Sequence, residues 1–290
     1  MPKTPRESPA RLRFNRRLFR WHDLRRRPLL IREAATPWEV VVAEVMSQQT
    51  GIQRVGPAWR RFVDRWPTPG DLAGAGTHEL LAAWAGLGYN RRALALREAA
   101  RTIVATPGGR VPATVRELEA LPGIGPYTAR AVAATAFGVP VAPLDVNVRR
   151  VVSRVLGVPS SSAGLQAAAD DLVSRGQPGR WLDAVMDLAS GTCRPRAPLC
   201  DGCPLASMCA SRGTVVVAVE PKAAAVPFAM TSRWLRGRLV AAVTAAPGGT
   251  WVPLPGRLGH HDADAICVAA RGLEREGFLD VRAGRARVRQ

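Results

Sequence analysis

Lysine is nearly missing from this sequence: of the 41 Lys and Arg residues among 290, only Lys3 and Lys222 are lysines. Covalent chemistry that needs a side-chain amine therefore has two candidates at most. A nucleotide composition that favours Arg and Ala codons is the plain cause of the bias. Acidic residues are also few, 23 in all, which leaves a net charge of +18. A balance so far from neutral points to a polyanionic partner, and for a soluble chain that partner is nucleic acid. The charge is uneven, because residues 1–27 carry nine arginines and Lys3 against Glu7 and Asp23. No apolar run approaches the roughly 18 residues of a membrane span, and the Arg-rich start lacks the apolar segment of an export signal. The expectation is a cytoplasmic, nucleoid-associated monomer with no membrane partner. Period-2 alternation is scarce before residue 210, which excludes a sandwich or barrel for the main body. Apolar residues are not scarce, and a hydrophobic content of 47% excludes global disorder.

Helical periodicity is what the chain offers instead. It begins at Leu12 and recurs over 37–50, 54–65, 77–85, 91–105, 114–121, 127–137, 146–156, 163–174 and 181–189, with Pro and Gly between the runs. Residues 1–11 read as a disordered basic lead, 12–210 as the main helical domain, and the Val-, Ala- and Pro-rich stretch 211–230 as a linker. In 231–290, two helices (231–246 and 262–276) precede a hairpin with its turn at Ala283-Gly284, a pattern that suggests a small winged-helix-like α+β domain. The fold class expected is thus mainly all-α with a small α+β domain at the C-terminal end.

Cys193, Cys200, Cys203 and Cys209 form a C-x6-C-x2-C-x5-C run interrupted by Pro195, Pro198 and Pro204. Four thiols so close can converge on zinc or on an iron–sulfur centre, or can pair as disulfides. Disulfides are disfavoured without an export signal. The fifth cysteine, Cys267, falls at a helical core position and reads as a buried small hydrophobe.

The chemistry concentrates in residues 121–152. Leu121-Pro122-Gly123-Ile124-Gly125 allows a tight turn ahead of a helix whose N-terminal N–H groups suit a phosphate. An ordinary helical corner would use the same residues. Asp145 follows about twenty positions on, before the run Val146-Asn147-Val148-Arg149-Arg150, where it could equally be a helix cap. A second carboxylate, Glu44, lies in the apolar stretch Val40 to Met46, where burial would raise its pKa, although a buried partner for an arginine would look the same. Two carboxylates in distinct environments can divide the work of cleaving a glycosidic bond.

These segments resemble the helix-hairpin-helix DNA glycosylases, in which LPGxG is the hairpin and an Asp after the following helix is catalytic. Glu44-Val45-Met46-Ser47-Gln48-Gln49-Thr50 is similar to the EVMLQQT signature of the MutY branch, the adenine glycosylases that act opposite 8-oxoguanine. The resemblance implies a fold of two helical subdomains with a [4Fe–4S] loop at 193–209 held by the four clustered cysteines, and it selects the cluster over the alternative of structural zinc. It further implies that Glu44 protonates the base, that Asp145 stabilises the sugar cation and that Asn147 orients Asp145. Gln48, Gln49 and Thr50 would reach the duplex, Tyr89 of Leu87-Gly88-Tyr89 would wedge beside the estranged base, and Gly123 and Gly125 would face a phosphate. In relatives that also cut the backbone, the position of Tyr127 is a Schiff-base lysine; here the resemblance implies a monofunctional enzyme that leaves an abasic site, with Tyr127 against the aspartate.

The base pocket departs from the family at four places. The family's LPWR tract is Leu29-Leu30-Ile31-Arg32, so an aromatic wall has become Ile31 beside Arg32; the leucine of MLQQT is Ser47; the glycine after the aspartate is Val146; and the acid of the ELGA tract is Asp187. The expected substrate is duplex DNA carrying adenine mispaired with 8-oxoguanine or guanine. The departures keep open a uracil or thymine glycosylase acting on U:G or T:G, and a non-catalytic damage-binding protein on the same scaffold.

Overall fold

The computed structural model describes residues 8–214 and 226–290. Residues 1–7 of the expected lead, residues 215–225 of the expected linker and both lysines lie outside the described residues. The chain divides into two compact units, one of residues 1–44 and 111–219, the other of residues 45–110 and 220–290. Among the described residues no helix is long and apolar enough to cross a membrane.

In chain order the helices are α1 (Pro9–Arg25), α2 (Pro37–Ser47), α3 (Ile52–Arg65), α4 (Pro69–Ala73), α5 (Thr77–Ala83), α6 (Arg91–Ala105), α7 (Val115–Glu119), α8 (Pro126–Phe137), α9 (Val146–Leu156), α10 (Leu165–Asp170), α11 (Pro178–Gly191), α12 (Ser232–Thr244) and α13 (Ala263–Arg275). Helix α1 starts inside the segment expected to be lead. Ser8 caps it by accepting the Arg11 N–H at 3.2 Å, and Pro9 takes the first helical position, where its missing N–H costs nothing. Arg11 is buried and pairs with Asp171 at 3.4 Å, so the order extends further toward the N-terminus than composition suggests.

The first unit is built on α11, which packs on α1, α8 and α9. Val148, Val151, Val152 and Val155 of α9 recur at helical spacing and bury against Trp181, Val185 and Leu188 of α11 and Phe14 and Leu18 of α1. This packing fixes the start of α9, and with it Asp145.

The second unit centres on α3, α5 and α6, where Phe62 meets Trp84 edge to face at 5.8 Å and Trp66 at 4.6 Å. Helix α4 has no counterpart in the expected helices. It is a single turn, which periodicity cannot reveal, and it is set by a capping box between Thr68 and Asp71. Residues 226–290 carry a sheet of order β1 (Val252–Pro253), β5 (Arg285–Val288), β4 (Leu279–Arg282), and a short pair of β2 (Arg257–Leu258) and β3 (His261–Asp262). Ala283 and Gly284 both have positive φ, the conformation that a two-residue hairpin turn demands. The segment shares its core with α5: Leu81 is buried with Leu235, Leu239, Ile266, Phe278 and Leu279, and His78 bonds the Ala246 carbonyl at 2.8 Å. It is therefore part of a larger unit and not a body apart, because the apolar stripe of α12 is completed by α5. Cys267 is exposed, contrary to expectation; the buried face of α13 is Ile266, Ala269, Ala270 and Leu273, which turns position 267 outward.

Candidate active site

Asp145 is both a helix cap and part of a hydrogen-bond chain. Its Oδ1 accepts the backbone N–H groups of Asn147 at 2.8 Å and Val148 at 2.7 Å, and its Oδ2 accepts the Asn147 side-chain amide at 2.7 Å. Asn147 in turn accepts Arg150 Nη1 through its Oδ1 at 3.1 Å, and Arg150 reaches the Cys193 carbonyl at 3.0 Å and the Ala189 carbonyl at 2.9 Å. The first turn of α9 thus holds the carboxylate through three N–H donors and ties it to the cysteine segment. Val146 beside it is 76% exposed.

Glu44 lies on the last turns of α2, whose Val41, Val42, Val45 and Met46 are buried. It keeps part of its surface open, yet protein surrounds it closely enough that desolvation pushes its pKa to about 7, with Asp183 and Asp145 adding to the rise. All three causes favour the protonated form, and a carboxyl that keeps its proton near neutral pH can act as an acid. Tyr127, on the first turn of α8, belongs to the same set: burial, then Glu44, then Asp145 hold its hydroxyl well above the usual tyrosine range. The phenol is neutral, and its ring packs on the apolar core of the first unit. Asp183 is a member that the sequence did not reveal. Burial raises it while its ion pair with Arg32, Nε to Oδ1 at 2.9 Å, opposes the rise.

Asp187, expected as a wall of the base pocket, is instead inside an ion cluster. It is buried and accepts His22 Nε2 at 3.1 Å, the Arg27 N–H at 3.2 Å and both Arg32 Nη groups at 3.0 Å. Burial alone would push its carboxyl up; the hydrogen bonds from Arg32 and Arg27 outweigh it and hold the pKa below the ordinary value. Burial likewise depresses His22 against the pull of Asp187. Arg32 spans Asp183 and Asp187, one helical turn apart on α11, and so its guanidinium is taken up by protein. Ile31 precedes it in the 3₁₀ turn Leu30–Glu33, half-buried. Ser47 closes α2, also half-buried.

In the second unit, Gln49 and Tyr89 are exposed, and both hold a left-handed backbone, with φ of 53° and 48°. Such a conformation costs a non-glycine residue about 1 kcal/mol or more and persists only where the surroundings enforce it. The enforcing group is Arg92, another residue the sequence did not single out. Its guanidinium donates to the carbonyls of Val45, Met46 and Gln48 and to those of Leu87 and Gly88, and also to Thr50 Oγ1 at 2.9 Å. Thr50 is consequently turned inward, buried, with its hydroxyl on the Leu87 carbonyl at 3.1 Å; it supports the loop and does not reach outward as expected. Gln48 is half-buried in the same turn. Burial lowers the Arg92 pKa to about 10. Replacing Arg92 by Met is expected to destabilise the protein by roughly 3–5 kcal/mol, since five carbonyls lose a charged donor; chemical denaturation of the two proteins checks it.

In the hairpin, Gly123 has φ of 78°, which a side chain would strain, while Gly125 caps α8 with ordinary φ and open space where a Cβ would stand. Both are exposed. Pro126 takes the first helical position of α8, where its missing N–H costs nothing.

The four clustered cysteines are half-buried and line one small cavity of about 30 Å³, together with Arg154 and Pro198 and with no carboxylate or imidazole. Arg154 donates to Cys193 Sγ at 3.5 Å, and Cys209 Sγ donates to the Arg154 carbonyl at 3.4 Å. Burial pushes the Cys203 thiol to about 11 and raises that of Cys209. Among the described residues no three His, Cys, Asp or Glu side chains stand at metal-binding distances. What the fold supplies is an all-thiol donor set around one cavity, and that set fits a soft, thiolate-bound centre.

Residues 42–173 match the family described as HhH-GPD superfamily base excision DNA repair protein. The adenine DNA glycosylase of Mycolicibacterium smegmatis is 40% identical over 234 residues, a span of 77% of this chain and 78% of that protein. The adenine DNA glycosylase of Homo sapiens is 39% identical over 217 residues, 70% of this chain but only 40% of the human protein. Among solved structures, a thermostable thymine-DNA glycosylase superposes with a TM-score of 0.64 at 28% identity, over 69% of this chain and 95% of that one.

Proposed function

The chain belongs to the HhH-GPD superfamily of base excision DNA repair proteins, in its adenine DNA glycosylase family, and from that premise we propose that it is a monofunctional DNA N-glycosylase. It hydrolyses the bond between deoxyribose and a mispaired adenine opposite 8-oxoguanine or guanine, and leaves an abasic site. The observation that carries this reading is the pair of unlike carboxyls: Glu44 is poised near pH 7, and Asp145 is oriented by Asn147 at the N-terminus of α9.

In the reaction, the extruded base accepts a proton from the Glu44 carboxyl as the bond between C1′ and the base nitrogen breaks, and the electron pair leaves with the base. The developing sugar cation is opposed by the Asp145 carboxylate, held in place so that little reorganisation is needed at that moment. Water then attacks C1′ and passes its proton to the Glu44 carboxylate, which restores the acid. Tyr127 stands where a lyase lysine would be needed. With a neutral phenol there, no Schiff base forms and the strand stays intact.

Cys193, Cys200, Cys203 and Cys209 would hold a [4Fe–4S] cluster, a reading supported by their spacing and shared cavity. When bound, the cluster supplies a rigid cross-link for the 193–209 loop, to which Arg150 and Arg154 connect α9. Purified protein is expected to be brown, with absorbance in the visible blue. Cys203→Ser is expected to lose that colour and to melt at lower temperature, whereas a colourless, zinc-loaded protein overturns the cluster assignment.

Single-turnover base release from duplexes carrying A:8-oxoG, A:G, U:G or T:G, with and without alkali, tests the function. Adenine release with strand breaks only after alkali is the expected result. A second reading, excision of uracil or thymine opposite guanine, draws on Ile31, Ser47 and Val146 and on the structural likeness to a thymine-DNA glycosylase. Release confined to U:G or T:G would establish it in place of the first.

A further inference from the structure

The second unit contains a groove of about 1090 Å³, formed by the 81–91 segment and α3 on one side and α12 on the other. That volume is beyond the roughly 300–1,000 Å³ of a site for one small ligand. Five arginines line it, Arg54, Arg91, Arg233, Arg236 and Arg238, against the single acid Glu276, which is already paired with Arg236 at 2.7 Å. Arg54, Arg91 and Arg238 are exposed and pair with no carboxylate among the described residues. Aromatic groups alternate with the charges. The Arg233 guanidinium lies 5.3 Å from both the Tyr89 and Phe228 ring centres and donates to the Tyr89 hydroxyl. Arg92 lies 5.5 Å from the Tyr89 ring, so that ring is held between two cations. Phe228 is 57% exposed. Small residues line it as well, among them Gly86, Gly88 and Gly237, each with open space where a Cβ would stand. Gly237 in the middle of α12 costs its helix about 1 kcal/mol relative to alanine, a cost that close approach of a ligand backbone would explain.

Exposed cations without carboxylate partners, interleaved aromatic rings and glycines in the lining are the combination that tracks a phosphodiester chain. We propose that this groove is a path for a DNA strand, through which α12 extends the duplex-binding surface that begins at Gln49 and Tyr89. The inference deepens the glycosylase reading and rests on it. In this path Arg54, Arg91, Arg233 and Arg238 meet phosphates, Arg233 beside the Tyr89 ring whose strained backbone Arg92 holds.

The test uses the full-length chain and a fluorescent duplex carrying A:8-oxoG, with binding followed by anisotropy from low to high salt. Each phosphate contact contributes about 0.9 to the slope of log K against log salt. The double substitution Arg233→Ala, Arg238→Ala is expected to weaken binding about tenfold and to reduce that slope by about 1.8, and the corresponding Lys pair to keep the slope. Arg54→Ala, Arg91→Ala, on the other side of the groove, is expected to lose a similar amount, which decides the matter if the first pair disturbs folding. Unchanged affinity and slope in both Ala pairs would sink the proposal, as would equal losses in the Ala and Lys variants. Base release by the wild-type protein is read on the same duplex. Release of adenine with unaltered slopes in the variants defeats the groove alone; tight, salt-sensitive binding without release defeats the glycosylase reading and leaves the groove.

Discussion

Asp145→Asn is expected to reduce single-turnover base release by about 10³-fold or more while the protein folds and binds duplex DNA as before. The two halves of that outcome have separate physical origins. As the cap of α9, Asp145 satisfies the N–H groups of Asn147 and Val148, and asparagine is as good a cap as aspartate. The structural contribution therefore survives the substitution, and thermal unfolding should shift by no more than a few degrees. What is lost is the negative charge beside the sugar cation, which an amide does not replace. Asp145→Ala should lose the charge and the cap together, so it should be as inactive as Asn but less stable by about 1 kcal/mol. Single-turnover rates and melting curves on the three proteins separate the effects. An Asn variant that releases base at the wild-type rate would mean that the chain keeps only the scaffold and binds damage without excising it.

The parts of this site that were legible in the sequence are those whose chemistry sits within one short segment. Asp145 and Asn147 are two residues apart, the cysteine run spans one loop, and Glu44 is the one acid in the apolar stretch Val40 to Met46. In each, the residue type and its immediate neighbours already mark the candidate, and the family resemblance supplies the role proposed for it. Helix positions followed from apolar periodicity for the same reason, and the valines of α9 are an instance. The rest depends on partners distant in the chain. Arg92 is one arginine among dozens, and its acceptors are main-chain carbonyls, which every residue carries and no pattern marks. Asp187 resembled a pocket acid by its position in a tract; only the arrival of His22, Arg27 and Arg32 from α1 and the turn after it shows that its charge is consumed by protein. Asp183 was hidden because its relevance is electrostatic, acting on Glu44 and Tyr127 across the packing of α11. The inward turn of Thr50 follows from Arg92 and was hidden with it.

Glu44→Gln is expected to slow base release by about 10²–10⁴-fold, the range for loss of a positioned general acid, and to change the pH dependence in a way no structural role would produce. With its pKa raised to about 7, the wild-type carboxyl is protonated below that pH and competent as an acid. Above it, the protonated fraction falls tenfold per pH unit, and the single-turnover rate should fall with it. The Gln variant has no such group, so its slow residual rate should be flat across the same window. Stability should move the opposite way. A carboxyl whose pKa is higher folded than unfolded favours the fold only while it is protonated, so the wild-type protein loses stability as pH rises from the ordinary glutamate value near 4.5 through 7. Above pH 7 the variant is therefore expected to be the more stable protein, by up to about 3 kcal/mol, although it is the less active one. Asp183 and Asp145 contribute to the raised pKa, so Asp183→Asn should shift the alkaline limb of the wild-type rate profile to lower pH. A Gln variant that kept the alkaline fall in rate would assign that titration to a different group and remove Glu44 from the role of acid.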